Sequence, residues 1–256
     1  MIDFCCDIGN YAFRPWPADS VATTIPILDR AGIEKAVAGS IDAITYVSPH
    51  EANERLMADL RANDPDGRFI PVTVLNPTYP GVERDMEESR AMGFSGLKLY
   101  PNYHGYRVDD PPALRLIEMA AGFGWPVLVT VRIEDERHHH PLMKVRPVIL
   151  DSIIWAAGQL PEATIVLSGG SSAETPRFLE QTADLPNAYA ELSYVKGPIC
   201  ALKGLVDRFG SARMLMGTHL PFVYPGCGIA KIAEGDISDE AKQAILHGNA
   251  ARVLGL

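Results

Sequence analysis

The stretch Gly81-Val82-Glu83-Arg84-Asp85-Met86-Glu87-Glu88-Ser89-Arg90-Ala91-Met92-Gly93-Phe94-Ser95-Gly96-Leu97-Lys98-Leu99-Tyr100 decides how the rest of the chain reads. Its first part predicts a helix over residues 81–92, stopped by Gly93, because glycine accepts the left-handed conformation that ends helices. Its last part, residues 96–100, is short and apolar apart from one lysine. That composition predicts a buried parallel strand. A helix that leads straight into a buried strand is half of a crossover unit.

The same alternation extends in both directions. Strands are expected at residues 2–6, 36–39, 69–75, 127–131, 164–168, 188–192 and 213–216, which with 96–100 makes eight. Helices are expected at 20–31, 49–62, 111–123, 150–159, 175–181, 199–209 and 238–246. Gly32 stops the first of these, and Ser48-Pro49 suits a cap and first position for the second. Repeated strand–helix units imply a parallel sheet with crossover helices. Eight units favour closure into a (β/α)₈ TIM barrel, with an open doubly wound sheet as the alternative. No Gly-rich dinucleotide fingerprint follows the first strand, where Asp7-Ile8-Gly9-Asn10 stands.

The bulk numbers agree with one α/β domain over residues 1–256. Such a barrel takes roughly 250 residues. The hydrophobic share of 47% supplies a sizeable core. A net charge of −9 argues against nucleic acid or an anionic membrane as partner. It leaves room for a small, anionic substrate in a local pocket. Four cysteines without a CxxC pair do not form a disulfide framework, so reduced thiols in a cytoplasm are expected. The N-terminus does not read as a signal peptide, and no apolar run approaches the roughly 20 residues of a spanning helix.

The order and spacing of several local patterns resemble the amidohydrolase superfamily of metal-dependent hydrolases and decarboxylases. They are Ile2-Asp3-Phe4-Cys5-Cys6-Asp7, Ala31-Gly32-Ile33-Glu34-Lys35-Ala36-Val37, Arg68-Phe69-Ile70-Pro71, Gly93-Phe94-Ser95-Gly96-Leu97-Lys98-Leu99 and Gly124-Trp125-Pro126-Val127-Leu128-Val129-Thr130. Ile165-Val166-Leu167-Ser168-Gly169, Arg213-Met214-Leu215-Met216-Gly217-Thr218-His219-Leu220-Pro221 and Gly248-Asn249-Ala250-Ala251-Arg252 complete the series. The resemblance implies a TIM barrel with its site at the C-terminal mouth and, by analogy with relatives, a homodimer. It also implies where metal ligands would stand. The first two histidines of the family fall on Cys5 and Asp7, the third on Thr130, the fourth at about Gly169, and the aspartate after the eighth strand on His219. Threonine is a poor zinc ligand and glycine offers no side chain, so no metal and no cofactor is expected.

Functional residues of a barrel sit at the C-terminal ends of strands, and residues two apart share a face. This selects Cys5 and Asp7 on the first strand, Lys98 and Tyr100 on the fourth, Thr130 and Arg132 on the fifth, and His219 after the eighth. Asp7 and His219 suit an orienter and a general base, or else a structural hydrogen bond. Cys5 is a nucleophile if its pKa is lowered and otherwise a small residue filling a vacated ligand place. Cys6 should face the helices. Lys98 suits electrostatic capture of a carboxylate, or a buried ion pair with Asp7 or Glu191. Arg132 and Arg137 suit a bidentate carboxylate clamp. The loop Asn102-Tyr103-His104-Gly105-Tyr106-Arg107 reads as a lid that brings His104 to the substrate, or as packed surface. His138-His139-His140 reads as an exposed loop, since adjacent positions rarely converge on one ion. Asn76, Glu191 and Ser193 are weaker candidates, and His50 and His247 read as structural.

Three functions remain open from sequence. One is a metal-independent hydrolase or lyase acting on a small carboxylate or lactone through Cys5, Asp7, Lys98 and His219. Another is a non-catalytic barrel that binds a small ligand or partner subunit. The third is a zinc hydrolase with Cys5, Asp7 and His219 as ligands.

Overall fold

Short β-rich runs and amphipathic segments alternate along the chain as expected in the computed structural model, which describes residues 1–197 and 200–256. The strands are β1 (Ile2–Ile8), β2 (Lys35–Ser40), β3 (Phe69–Pro71), β4 (Thr73–Val74), β5 (Leu97–Leu99), β6 (Val127–Thr130), β7 (Ile165–Ser168), β8 (Ala188–Glu191) and β9 (Met214–Leu215). The main helices are α1 (Val21–Ala31), α2 (Pro49–Asn63), α3 (Val82–Met92), α4 (Pro101–His104), α5 (Pro111–Gly122), α6 (Leu150–Gln159), α7 (Glu174–Gln181), α8 (Cys200–Phe209), α9 (Pro225–Ala233), α10 (Asp239–Gln243) and α11 (Asn249–Leu254). Ile199, where a helix start was expected, lies outside the described residues.

All strand pairings are parallel, in the order β1-β2-β3 and β4-β5-β6-β7-β8-β9. β3 and β4 are two halves of one stave, interrupted at Val72, whose N–H donates to the Ala38 carbonyl at 2.9 Å. The ends meet as well. Phe4 N–H donates to Met216 O at 2.8 Å, Asp7 N–H to Leu220 O at 2.8 Å, and Cys6 bridges Leu220 in parallel. Eight staves therefore close into a TIM barrel, which removes the open-sheet alternative.

Period two sorts the side chains. Phe4, Val37, Val72, Leu128, Val166, Tyr189 and Leu215 fill the barrel interior with Ile2. Leu97, Leu99, Val127, Val129, Ile165 and Leu167 face the helices. Ala250 of α11 joins the interior cluster, so this helix plugs the base of the barrel. The opposite end is left for polar groups.

Local signals explain the helix ends. Ser20 accepts from Thr23 N–H in a capping box at the start of α1, and Gly32 (φ 68°) and Gly93 (φ 106°) close α1 and α3. Ser48 stands at the cap of α2, but its side chain makes no capping bond, and Pro49 carries the start. The last expected helix, residues 238–246, is α10 followed by a π-helical segment Ala244–Gly248, and α11 continues beyond its expected end.

Candidate active site

The alternation that builds the core also builds the polar layer above it. Thr130, Ser168, Glu191 and Gly217 each stand two residues beyond an interior residue of their stave, so they face the axis. Lys98 and Tyr100 alternate with the outward Leu97 and Leu99. In β1 the register to β2 shifts between Asp3 and Cys6. This irregularity lets Phe4 and Cys5 both face inward, while Cys6 and Ile8 join the outer core with the helices. Cys5, Asp7, Lys98, Tyr100, Ser168, Glu191 and His219 are all fully buried.

Two clusters occupy the layer. In the first, Lys98 Nζ donates to Asp7 Oδ1 at 2.6 Å, and Tyr100 Oη donates to the same oxygen at 2.6 Å. Gly39 makes room for the lysine, since a Cβ there would lie 3.2 Å from Lys98 Cδ. Burial is the largest single influence and works against the ammonium, but Asp7, Tyr100 and Cys5 together outweigh it and hold Lys98 charged beyond the ordinary lysine range. Burial, reinforced by Asp7, keeps the Tyr100 phenol neutral and donating. Of the two ion pairs open to Lys98, the structure forms the one with Asp7.

The second cluster is thiol, imidazole and carboxylate. His219 Nε2 lies 2.6 Å from the Ile133 carbonyl, which only accepts, so Nε2 carries the proton. Nδ1 then presents a lone pair, 3.2 Å from Cys5 Sγ and 3.5 Å from Ser193 Oγ. Burial lowers the imidazole pKa and keeps His219 neutral. Burial and then the Glu191 charge push the Cys5 thiol well up, so it rests as a donor rather than a thiolate. Glu191 accepts from Gly169 N–H at 2.5 Å, Ser193 N–H at 2.8 Å, Ser193 Oγ at 2.8 Å and Ser168 Oγ at 3.4 Å. Its Oε2 lies over Gly217, where a Cβ would come within 2.0 Å. His219 itself adopts a left-handed backbone (φ 57°), a strained conformation for a non-glycine residue.

The remaining candidates are placed less centrally. Thr130 faces the axis with its buried hydroxyl unpartnered. Arg132 holds Glu174 bidentately at 2.7 and 2.8 Å and reaches the Gly169 carbonyl. Arg137 is exposed and held by Asp135. His104 packs by Tyr100 and Tyr106, with Nε2 at 3.2 Å from the Ala43 carbonyl. The pair of arginines is thus already occupied by protein carboxylates. His140 stacks at 5.3 Å on Phe13 and accepts from Leu142 N–H, and the three histidines do not converge. Over the mouth, Tyr11 donates to Glu134 Oε1 at 2.8 Å and packs on Phe222 at 5.1 Å, and Phe222 lies 6.1 Å from the His219 ring.

The family's metal positions do not form a donor set here. Asp7 is taken by Lys98 and Tyr100, Thr130 carries a neutral hydroxyl, and Gly169 has no side chain. A side chain at Gly169 would also meet the Arg132 carbonyl oxygen at 2.7 Å. This removes Asp7 from the Cys5–Asp7–His219 ligand set. Glu191, a weaker candidate from sequence, lies at the centre of the polar layer. Ser168 and Asp3, which sequence reasoning passed over, are buried, the first beside it and the second at the β1 seam. The period-two step from the end of β7 pointed to Ser168, but no sequence signal marks which strand-end acid lacks a cation.

The amidohydrolase family model matches residues 30–256. No curated protein matches the chain in sequence. Among solved structures, an uncharacterised TIM-barrel protein from Bordetella bronchiseptica is 21% identical, with a TM-score of 0.75, covering 99% of this chain and 98% of its own. The 5-carboxyvanillate decarboxylase from Sphingomonas paucimobilis is 14% identical at TM-score 0.77, covering 100% and 98%. A probable 2-pyrone-4,6-dicarboxylic acid hydrolase from Acinetobacter baumannii, with citric acid bound, is 13% identical at TM-score 0.69, covering 100% and 99%.

Proposed function

This chain belongs to the amidohydrolase family, and we propose that it is a hydrolase or lyase acting on a small carboxylate or lactone-type substrate at the barrel mouth. The observation that carries the reading is the fixed tautomer of His219. Its Nε2 proton is spent on the Ile133 carbonyl, so Nδ1 is a ready proton acceptor at the axis. A neutral imidazole is the form a general base needs. The named chemistry of the neighbours, one a carboxylate decarboxylase and one a probable pyrone hydrolase, supports the substrate class.

In this reading His219 Nδ1 takes the proton from water or substrate, after the Cys5 thiol yields its place there. Lys98, anchored by Asp7, supplies positive potential for an anionic group. Thr130, whose buried hydroxyl is unpartnered, supplies a neutral donor to developing negative charge, while Tyr100 spends its proton on Asp7 and fixes that carboxylate. Such preorganised donors are worth most where water is excluded. Protein groups perform every step. Lys98, Arg132 and Arg137 already hold Asp7, Glu174 and Asp135, so an anionic group would meet cations that are part-neutralised. The competing reading is a non-catalytic binder.

The test is turnover of a panel of lactones and aromatic carboxylates by the wild type and His219→Ala. The substitution should cost about 10²–10⁴-fold, the range of a lost general base. Wild-type activity in the variant would sink the assignment, and binding without turnover in the wild type would favour the binder. Because burial lowers the pKa of His219, the base form persists into more acid solution. The acid limb of the rate profile should therefore lie below the ordinary imidazole range.

A further inference from the structure

We propose that Cys5, Glu191 and His219 form a cation site of their own, built for a thiophilic divalent ion of the zinc class. Their donor atoms come from three neighbouring staves and all lie within 4.8 Å of one another. Thiolate and imidazole select zinc-like ions over magnesium or calcium, and three protein ligands with one open position is a common zinc arrangement.

Two further observations point to an ion rather than to chance proximity. The first is His219. Its Nε2–H is bound to the Ile133 carbonyl, the outer contact that fixes the tautomer and aim of a metal-binding histidine. The second is Glu191. Its four hydrogen-bond donors are all neutral, and no lysine or arginine pairs with it among the described residues. Lys98 is committed to Asp7, and Lys231 spends its ammonium on the Leu192 carbonyl at 2.9 Å. A buried carboxylate is ordinarily paired with a cation or ligates a metal. Of the other buried carboxylates here, Asp7 and Glu134 have Lys98 and Arg14, whereas Asp3 is held by neutral donors alone and burial pushes its pKa up to about 7.

The site is not the family's. Only Cys5 and His219 occupy family ligand positions, Asp7 has been surrendered to Lys98, and Glu191 enters from β8. Gly217 permits this, because any side chain there would displace the Glu191 carboxylate. Binding exchanges the Cys5 thiol proton for the ion and occupies the Nδ1 lone pair. A loaded ion would therefore block the base invoked above, so zinc should inhibit the reaction.

The experiment is zinc titration of the full chain with elemental analysis, repeated with cobalt(II) to read the thiolate-to-cobalt charge-transfer absorption. One equivalent of ion and that absorption are expected from the wild type. Both should be lost in Cys5→Ser and in Gly217→Ala, which keeps all three ligands but would put a Cβ 2.0 Å from Glu191 Oε2. Both should survive in Thr130→Val. Circular dichroism establishes that each variant is folded, and the wild-type result stands without them. Absence of stoichiometric ion from the wild type, or undiminished binding by folded Cys5→Ser, overturns the proposal. Turnover is followed with and without zinc. Inhibition supports both readings. Turnover that requires zinc keeps the site and overturns the metal-free base.

Discussion

Asp3 shows how much depends on a single side chain that sequence reasoning passed over. It is fully buried and accepts from Cys5 N–H, Thr218 N–H and Thr218 Oγ1. It thereby ties the start of β1 to the segment that carries His219. Burial raises its pKa from 3.8 to about 7, against the opposing effect of those hydrogen bonds. The folded state then keeps a proton that the unfolded chain gives up, so stability falls as pH rises from about 4 to about 7 and levels off above. Asp3→Asn should flatten this slope while preserving the geometry. Urea unfolding at about pH 4 and about pH 7.5, roughly the two ends of this range, reads the effect. The Lys98–Tyr100 face was legible from alternation alone. The partners of Cys5 were not, because Ser168 and His219 lie 163 and 214 residues away and no local pattern encodes such pairs.

At the scale of elements, the break between β3 and β4 has a specific remedy. β3 pairs with β2, whereas β4 pairs only with β5, so Val74 lacks a ladder partner on one side. Asn53 of α2 fills the gap, donating to Val74 O at 2.8 Å and accepting from Val74 N–H at 2.9 Å. Asn53→Ala should leave both groups buried and unpaired, at about 1–3 kcal/mol each, and the loss is measured by denaturant unfolding. Element type was readable because buried parallel strands and glycine-stopped helices carry strong signals. The sequence reading missed α4, α9 and α11. Pro101 and Pro225 begin the first two, and proline at a first helical position is a signal that would have located them. The bulge in β1 has no such mark, since both registers bury apolar side chains.

The whole molecule is a barrel sealed by hydrogen bonds from β1 to the segment after β9 and plugged at its base by α11. Eight repeats made closure legible, and the family match over residues 30–256 agrees with it. What repetition does not encode is the chemistry at the mouth, where each stave contributes one residue chosen for its neighbours rather than for its own strand. The depth at which this layer lies has a kinetic meaning. Cys200 and Cys227 are exposed, Cys5 lies beneath the mouth, and Cys6 lies between barrel and helices. The chain thus carries its own clock with three hands. An alkylating reagent read by peptide mass should mark the exposed pair at once, Cys5 when the mouth opens, and Cys6 only when helices part from strands. Cys5 modified ahead of Cys6 would mean that the covering aromatics breathe independently of the fold. Simultaneous modification would mean that the mouth opens only by unfolding, which would leave a working enzyme no route for substrate.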